Sequence, residues 1–168
     1  MGRPGPLTRD GAAGSEVVLR QATSGDQARL LEWRNEPEVV RFSISGRPVD
    51  ASEHANWLAA RLARSAPRLW IAEEAGEPAG QVRVDLEGDA GTVSISVSPA
   101  HRGRGVGSRA LHALIVEMER DTEVRILLAL VHPENITSLR AFERVGFHDT
   151  GRRRRAFVLL ERSVEAEQ

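Results

Sequence analysis

TVSISVSPAHRGRGVGSRALHAL, residues 92–114, changes period in mid-run. Val93, Ile95 and Val97 alternate with Thr92, Ser94, Ser96 and Ser98, the two-residue period of a strand, and Pro99 stops it. From Val106 onward the apolar positions Leu111, Leu114, Ile115 and Met118 recur at three- and four-residue steps, so a helix opens there. Arg102-Gly103-Arg104-Gly105-Val106-Gly107 is therefore the handover from a strand to a helix N-terminus. The first turn of a helix presents N–H groups without intrahelical acceptors and the positive end of the helix dipole. Glycines let a phosphate approach that backbone with no Cβ in the way, so an anion site is expected.

A plain tight turn also uses glycines. A P-loop is excluded, because G-x-x-x-x-G-K needs a lysine and the chain has none. The dinucleotide fingerprint does not fit: the glycines run G-x-G-x-G, and the strand before them follows hairpins instead of opening a βαβ unit.

The 168 residues suit one domain with a substantial core. A net charge of -1, with charges of both signs intermixed, sets up no long-range field for nucleic acid or an anionic membrane. Cysteine is absent, which excludes disulfides, zinc-thiolate sites and a cysteine nucleophile; tyrosine is absent too. No apolar run approaches the length of a membrane span, and the N-terminus lacks the apolar stretch of a signal peptide, so a cytoplasmic protein is expected.

Along the chain, residues 1–15 are rich in glycine, proline and alanine and are expected to form a flexible leader. A first strand is read at residues 16–22. A helix capped near Ser24, with Gln27 three residues on, follows with Leu30, Leu31 and Trp33, and Pro37 ends it. A loop at 41–48 leads to a second helix that starts at Asp50, with Glu53 at capping-box spacing and His54, Trp57, Leu58, Arg61 and Leu62 along it. Residues 68–73, 81–86 and 92–98 read as an antiparallel meander. VRILLALV at 124–131 is a continuous apolar run, expected as a strand buried on both faces and paired in parallel across the preceding helix. Pro133-Glu134-Asn135 starts a helix bearing Leu139, Phe142 and Val145, closed by Gly146. Residues 147–150 and 156–161 read as a last hairpin with the arginines 152–155 in its turn, and residues 163–168 as a polar tail. The expected architecture is a single α/β (α+β) domain at 16–162, a mixed and mostly antiparallel sheet flanked by helices.

This order of elements, with Arg102, Gly105 and Gly107 in the pattern R/Q-x-x-G-x-G/A, resembles the GCN5-related N-acetyltransferase (GNAT) superfamily and its acyl-CoA pyrophosphate loop. A second motif, Asn135-x-x-Ser138-x-x-x-Phe142-x-x-x-Gly146-Phe147, is similar to the superfamily's N-x-x-S/A-x-x-x-Y/F-x-x-x-G-F. The resemblance implies a GNAT fold whose strands at 92–98 and 124–131 form a splayed parallel pair in the centre of the sheet, with the pantetheine of acetyl-CoA in the gap. It implies cofactor contacts from Val97, Arg102, Gly103, Arg104 and Gly105, from Val106, Gly107 and Ser108 in the helix, and from Asn135, Ser138 and Phe142. Trp33-Arg34-Asn35 with Glu53-His54-x-x-Trp57 looks like the PseH-like branch of nucleotide-sugar aminosugar N-acetyltransferases. That implies substrate contacts from Trp33, Arg34, Asn35, His54 and Trp57.

The implied reaction moves an acetyl group from acetyl-CoA, a co-substrate, to the primary amine of a nucleotide-linked aminosugar, without a metal. A backbone N–H near Val97 would polarise the thioester carbonyl, Ser94 and Ser96 would order water, and Glu53, His54 or Asp85 would take the amine's proton. In many members of the superfamily the aromatic position of the second motif is a tyrosine that protonates the departing thiolate. Here that position is Phe142, which has no proton to give. Other readings stay open: a protein N-terminal acetyltransferase resembling the RimJ and RimL group, an antibiotic acetyltransferase, or a non-catalytic acyl-CoA-binding sensor, as monomer or homodimer. Asn135 also fits a plain helix N-cap, Trp33 and Trp57 fit core residues, and Arg102 and Arg104 fit solvated turn residues. His101, His112, His132 and His148 show no metal-ligand spacing. The arginines 152–155 read as a solvated loop or a contact for substrate phosphates, not as a nucleic-acid site.

Overall fold

The computed structural model describes residues 15–165. The expected leader, apart from Ser15, and the last three residues of the expected tail lie outside the described residues. Among the described residues seven strands, β1 (Val17–Gln21), β2 (Leu69–Glu74), β3 (Glu77–Glu87), β4 (Ala90–Val97), β5 (Ile126–Val131), β6 (His148–Arg154) and β7 (Phe157–Ser163), form one sheet in the order β1-β2-β3-β4-β5-β7-β6. Every neighbouring pair is antiparallel except the central β4 and β5. Among the described residues five α-helices accompany it: α1 (Gln27–Arg34), α2 (Pro37–Phe42), α3 (Ala51–Leu62), α4 (Val106–Glu119) and α5 (Ile136–Arg144).

Two-residue alternation along the strands divides the core between the faces of the sheet. On β2, Trp70 and Ala72 join the cluster in which Leu111, Leu114 and Met118 of α4 pack with Val82, Val84 and Leu127. The intervening Leu69 and Ile71 pack instead with Leu30 and Trp33 of α1 and Leu58 of α3. Each fully buried side chain of this size contributes about 1.5–3 kcal/mol relative to exposure, so both faces are needed to hold the sheet.

Five details differ from the sequence reading. Pro37 begins a helix instead of ending one: Glu36 is the N-cap of α2 and accepts from the Val39 N–H at 3.2 Å, and a proline at the first helical position loses no hydrogen bond. The first cap is Thr23 and not Ser24; its N–H donates to the Asp26 carboxylate at 2.9 Å around the turn Ser24–Asp26. β5 is fully buried on one face only, because the half-buried Leu130 lies on a wall of the cleft described below. β6 runs on through Arg154, paired with Phe157, so only Arg155 of the four arginines lies in the turn. β7 itself extends to Ser163, and Val164 packs against the core.

Asp26 pins the start of α1 to the sheet. Its buried carboxylate accepts from Arg20 of β1 through two bonds of 2.8 Å and from Arg29 at 2.8 Å. The Arg20 hydrogen bonds outweigh the effect of burial and hold its pKa down at about 2. A carboxylate whose folded pKa is depressed contributes stability that is complete above its unfolded value and is lost as pH falls through the folded one. We therefore expect about 2 kcal/mol to disappear as pH falls from about 4 to 2. Asp26→Asn should lose that amount at pH 7 and flatten the acid limb in urea titrations; an unchanged limb would show that the pair contributes nothing.

Candidate active site

β4 and β5 pair only at Ala90, Gly91 and Thr92, opposite Ile126, Leu127 and Leu128. Beyond Thr92 the strands diverge, while β4 remains paired with β3 as far as Val97 opposite Gly80. The Ser98 N–H donates to the Ala79 carbonyl at 2.7 Å. Hydrogen-bonded and non-hydrogen-bonded pairs alternate in an antiparallel ladder, so the N–H groups of Ile95 and Val97 point the other way, toward the opening beside β5. This is the splayed pair, with free backbone donors along one side.

The chain then makes a short turn (Pro99–His101) and enters α4 through glycines in the left-handed region, Gly103 (φ 75°) and Gly105 (φ 72°). The backbone N–H groups of residues 103–108 find no acceptor among the described residues. Their orientation is set from behind. Arg109 donates to the Arg104 carbonyl at 2.7 Å and the Gly105 carbonyl at 3.3 Å, and is itself paired with Glu74 at 3.1 Å. With those carbonyls drawn back onto Arg109, the turn offers a cluster of donors to an anion. Glu74 and Arg109 are positioning residues that sequence reading missed; their positions in the chain lie far apart, and no motif links them.

The donors open into a cleft of about 1020 Å³. Its lining brings together Ser96, Val97, Gly103, Gly105, Val106, Gly107 and Ser108 with Asn135, Ser138 and Phe142 of the second motif. Asn135 is the N-cap of α5, accepting from the Ser138 N–H at 3.2 Å, and also faces the cleft. Phe142 is buried edge-on against Phe147, ring centroids 4.9 Å apart. Arg102 reaches the lining too, but its guanidinium is already engaged. Nε donates to the Val97 carbonyl at 3.1 Å, and Nη2 and Nη1 pair with Glu36 and Glu38 at 2.8 Å each. It straps α2 to the end of β4.

On the α1, α3 and β3 side of the cleft stand Arg34, Glu53, His54, Trp57 and Arg83. Asp50 caps α3, accepting from Ser52 and Glu53 N–H at 2.7 and 3.2 Å, and the Glu53 side chain makes no return bond among the described residues. His54 is buried with its ring 5.4 Å from Trp57. Burial, and then the charge of Arg34, push its pKa below the usual histidine range, so the imidazole is neutral at pH 7. Four residues expected in the site are not in its lining. Trp33 is in the core between α1 and α3. Asn35 exchanges both amide groups with the Val49 backbone at 2.8 and 2.7 Å, a clamp on the loop before α3. Arg104 points to Glu74 at 3.5 Å. Asp85 does not line the cleft either: it is tied to the buried Arg61 and to Arg83, which together outweigh its burial and hold its pKa low.

The lining also contains Phe42 of α2, which the sequence reading passed over, His101 and His132, to which it gave no site role, and Arg155, one of the arginines it read as a solvated loop or a phosphate contact. His132 lies between Phe42, to which its ring is tilted, and Phe157, which it meets edge-on, and its Nδ1 accepts from the Glu134 N–H at 3.1 Å, which leaves the ring proton on Nε2. Among the described residues no cluster of three His, Cys, Asp or Glu side chains could hold a metal ion, and no helix is long and apolar enough to cross a membrane.

The model of the acetyltransferase (GNAT) domain family matches residues 16–148. The chain belongs to the GNAT acetyltransferases. Among GNAT relatives it is 28% identical over 151 residues to the aminoglycoside N(6')-acetyltransferase type 1 of Klebsiella pneumoniae, over 80% of this chain and 75% of that one. It is 32% identical over 140 residues to the L-methionine sulfoximine/L-methionine sulfone acetyltransferase of Pseudomonas paraeruginosa, over 79% and 81% of the two chains. The GNAT fold is shared with the spermidine N-acetyltransferase of Vibrio cholerae, solved with CoA and spermine, at a TM-score of 0.77 and 16% identity over 89% of this chain and 96% of that one. Like these relatives, the protein is an N-acetyltransferase of GNAT type.

Proposed function

We propose that the chain transfers the acetyl group of acetyl-CoA to the primary amine of a small molecule, and that this acceptor is a nucleotide-linked aminosugar. The observation that carries the reading is a single cleft holding three things at once: the unpartnered N–H groups of residues 103–108, the free N–H edge of Ile95 and Val97, and Glu53 with a neutral His54. Bound acetyl-CoA supplies the activated acyl group. The N–H groups of residues 103–108 hold the pyrophosphate, with Gly103 and Gly105 presenting no Cβ to it. The edge of β4 orients the pantetheine, and the Val97 N–H stabilises the oxyanion that develops on the thioester carbonyl. Glu53 attracts the incoming ammonium, and His54, able to accept a proton because it is uncharged, receives it before the free amine attacks. Phe142 cannot protonate the sulfur, but a thiol with a pKa of about 8.5 leaves as a thiolate near neutral pH, so the step proceeds without that help. Trp57, half-buried beside Arg83, gives the acceptor an aromatic wall, and Arg34 and Arg83 suit its phosphates.

The test is thiol release from acetyl-CoA with a UDP-linked aminosugar, an N-terminal peptide and an aminoglycoside. The highest kcat/KM is expected on the UDP-aminosugar. Faster turnover of the peptide or the aminoglycoside would replace the acceptor, and tight acetyl-CoA binding with no turnover on any amine would make the chain a sensor.

A further inference from the structure

The guanidinium of Arg34 is incompletely satisfied in a way that points to a ligand. Nη2 donates to Ser45 Oγ at 3.2 Å, but Nη1 is buried in the wall of the cleft with no hydrogen-bond partner among the described residues. A buried donor without an acceptor is costly, and more so when it is charged, so such a group is found where something else completes it. Its surroundings are cationic. Arg83 stands close enough to Arg34 to depress its pKa further after burial has done so, and only Glu53 acts in the opposite direction. Arg83 shares Asp85 with the buried Arg61, so one carboxylate serves two guanidinium groups there. Arg102, Arg144 and Arg155 add further cations to the lining of the same cleft, while Glu38 there is already bound to Arg102.

We infer that the acceptor amine carries an anionic oxygen group, a carboxylate or a phosphate, which docks on Nη1 of Arg34 with Arg83 beside it while the amine faces Glu53. This rests on the reading of the cleft as an acetyltransferase site and narrows its substrate class. A polycation such as a polyamine would meet the guanidinium groups of Arg34 and Arg83 beside Glu53, and a neutral amine would leave Nη1 unpaired. Both are disfavoured relative to an anionic amine by the loss of a charge-assisted bond, worth about 10- to 100-fold.

The test uses matched amines that differ in the anion: L-methionine against L-methioninamide for a carboxylate, UDP-glucosamine against glucosamine for phosphates, and spermidine as the polycation. Binding to the protein saturated with CoA is measured by calorimetry, and kcat/KM with acetyl-CoA. The anionic member of at least one pair is expected to bind and react 10- to 100-fold better than its partner, and the pair that shows this identifies the source of the anion. In Arg34→Gln that preference should vanish, in Arg34→Lys it should return in part, and acetyl-CoA affinity should be unchanged in both, which also shows that the variants are folded. Binding of no anionic amine, equal use of the members of both pairs, or a preference that survives in Arg34→Gln would overturn the inference. The acetyltransferase reading would fall separately, on loss of acetyl-CoA binding or of turnover with every amine.

Discussion

Gly107→Glu is expected to weaken acetyl-CoA binding by about 10³-fold or more while the protein stays folded, because it removes bonds to the pyrophosphate and adds a like charge. Gly107 lies in the first turn of α4 and faces the cleft. A Cβ there would meet only Val97 Cγ2, at 3.6 Å, an ordinary contact, and the backbone is not in the left-handed region. A glutamate in the first turn of a helix is favoured by the dipole and by helix propensity, so stability should hold or rise. Its carboxylate would occupy the N–H cluster that the phosphate needs. Gly105 is the poorer site for this test, since its φ of 72° would strain any side chain and mix a folding defect into the result. Isothermal titration with acetyl-CoA, beside a thermal melt, reads both quantities. A folded Gly107→Glu protein with wild-type affinity would show that the pyrophosphate lies elsewhere.

Val97→Pro should lower kcat by about 10²–10³-fold with the KM for acetyl-CoA little changed, the usual cost of removing one oxyanion donor. Most prolines inside a sheet break a ladder bond. This one would not, because the Val97 N–H points away from β3 into the opening beside β5, and residue 96 is already extended, as a residue before proline must be. The carbonyl of Val97, which accepts from Arg102, is retained. Val97→Ala separates the two functions of the residue: it keeps the N–H and should keep kcat within a few-fold. Equal losses in both variants would place the effect in side-chain packing and remove Val97 from the chemistry.

The two motifs were legible because each is built from neighbours along the chain. The period change at Pro99, the glycines that take up positive φ before α4, and Asn135 capping α5 each depend on contacts within a few residues, and all stand where the spacing puts them. The parallel pairing of β4 with β5 also followed from a local rule, that a strand, a helix and a buried strand form a right-handed crossover. The α1 to α3 region was read less well. A proline can end a helix or begin one, and the choice at Pro37 was made by Glu36, which is at once the cap of α2 and the partner of Arg102. Trp33, Arg34 and Asn35 are adjacent in the chain, but successive helical residues point in different directions. The first therefore entered the core, the second the cleft, and the third the Val49 clamp.

By itself the sequence determined the order of elements apart from α2, the strand-to-helix glycine turn and the family, since period, capping and glycine chemistry act over a turn or two of chain. Only the tertiary structure decided which charges are free to act. Arg102 and Arg109 stand within eight residues of each other beside the same turn, and nothing local distinguishes them as phosphate ligand, strap or brace. Arg102 is committed to Glu36 and Glu38 and Arg109 to Glu74, whereas Arg34 keeps a donor with no partner among the described residues. The physical reason is that a guanidinium bonds whichever carboxylate the fold brings within about 3 Å, at any separation along the chain.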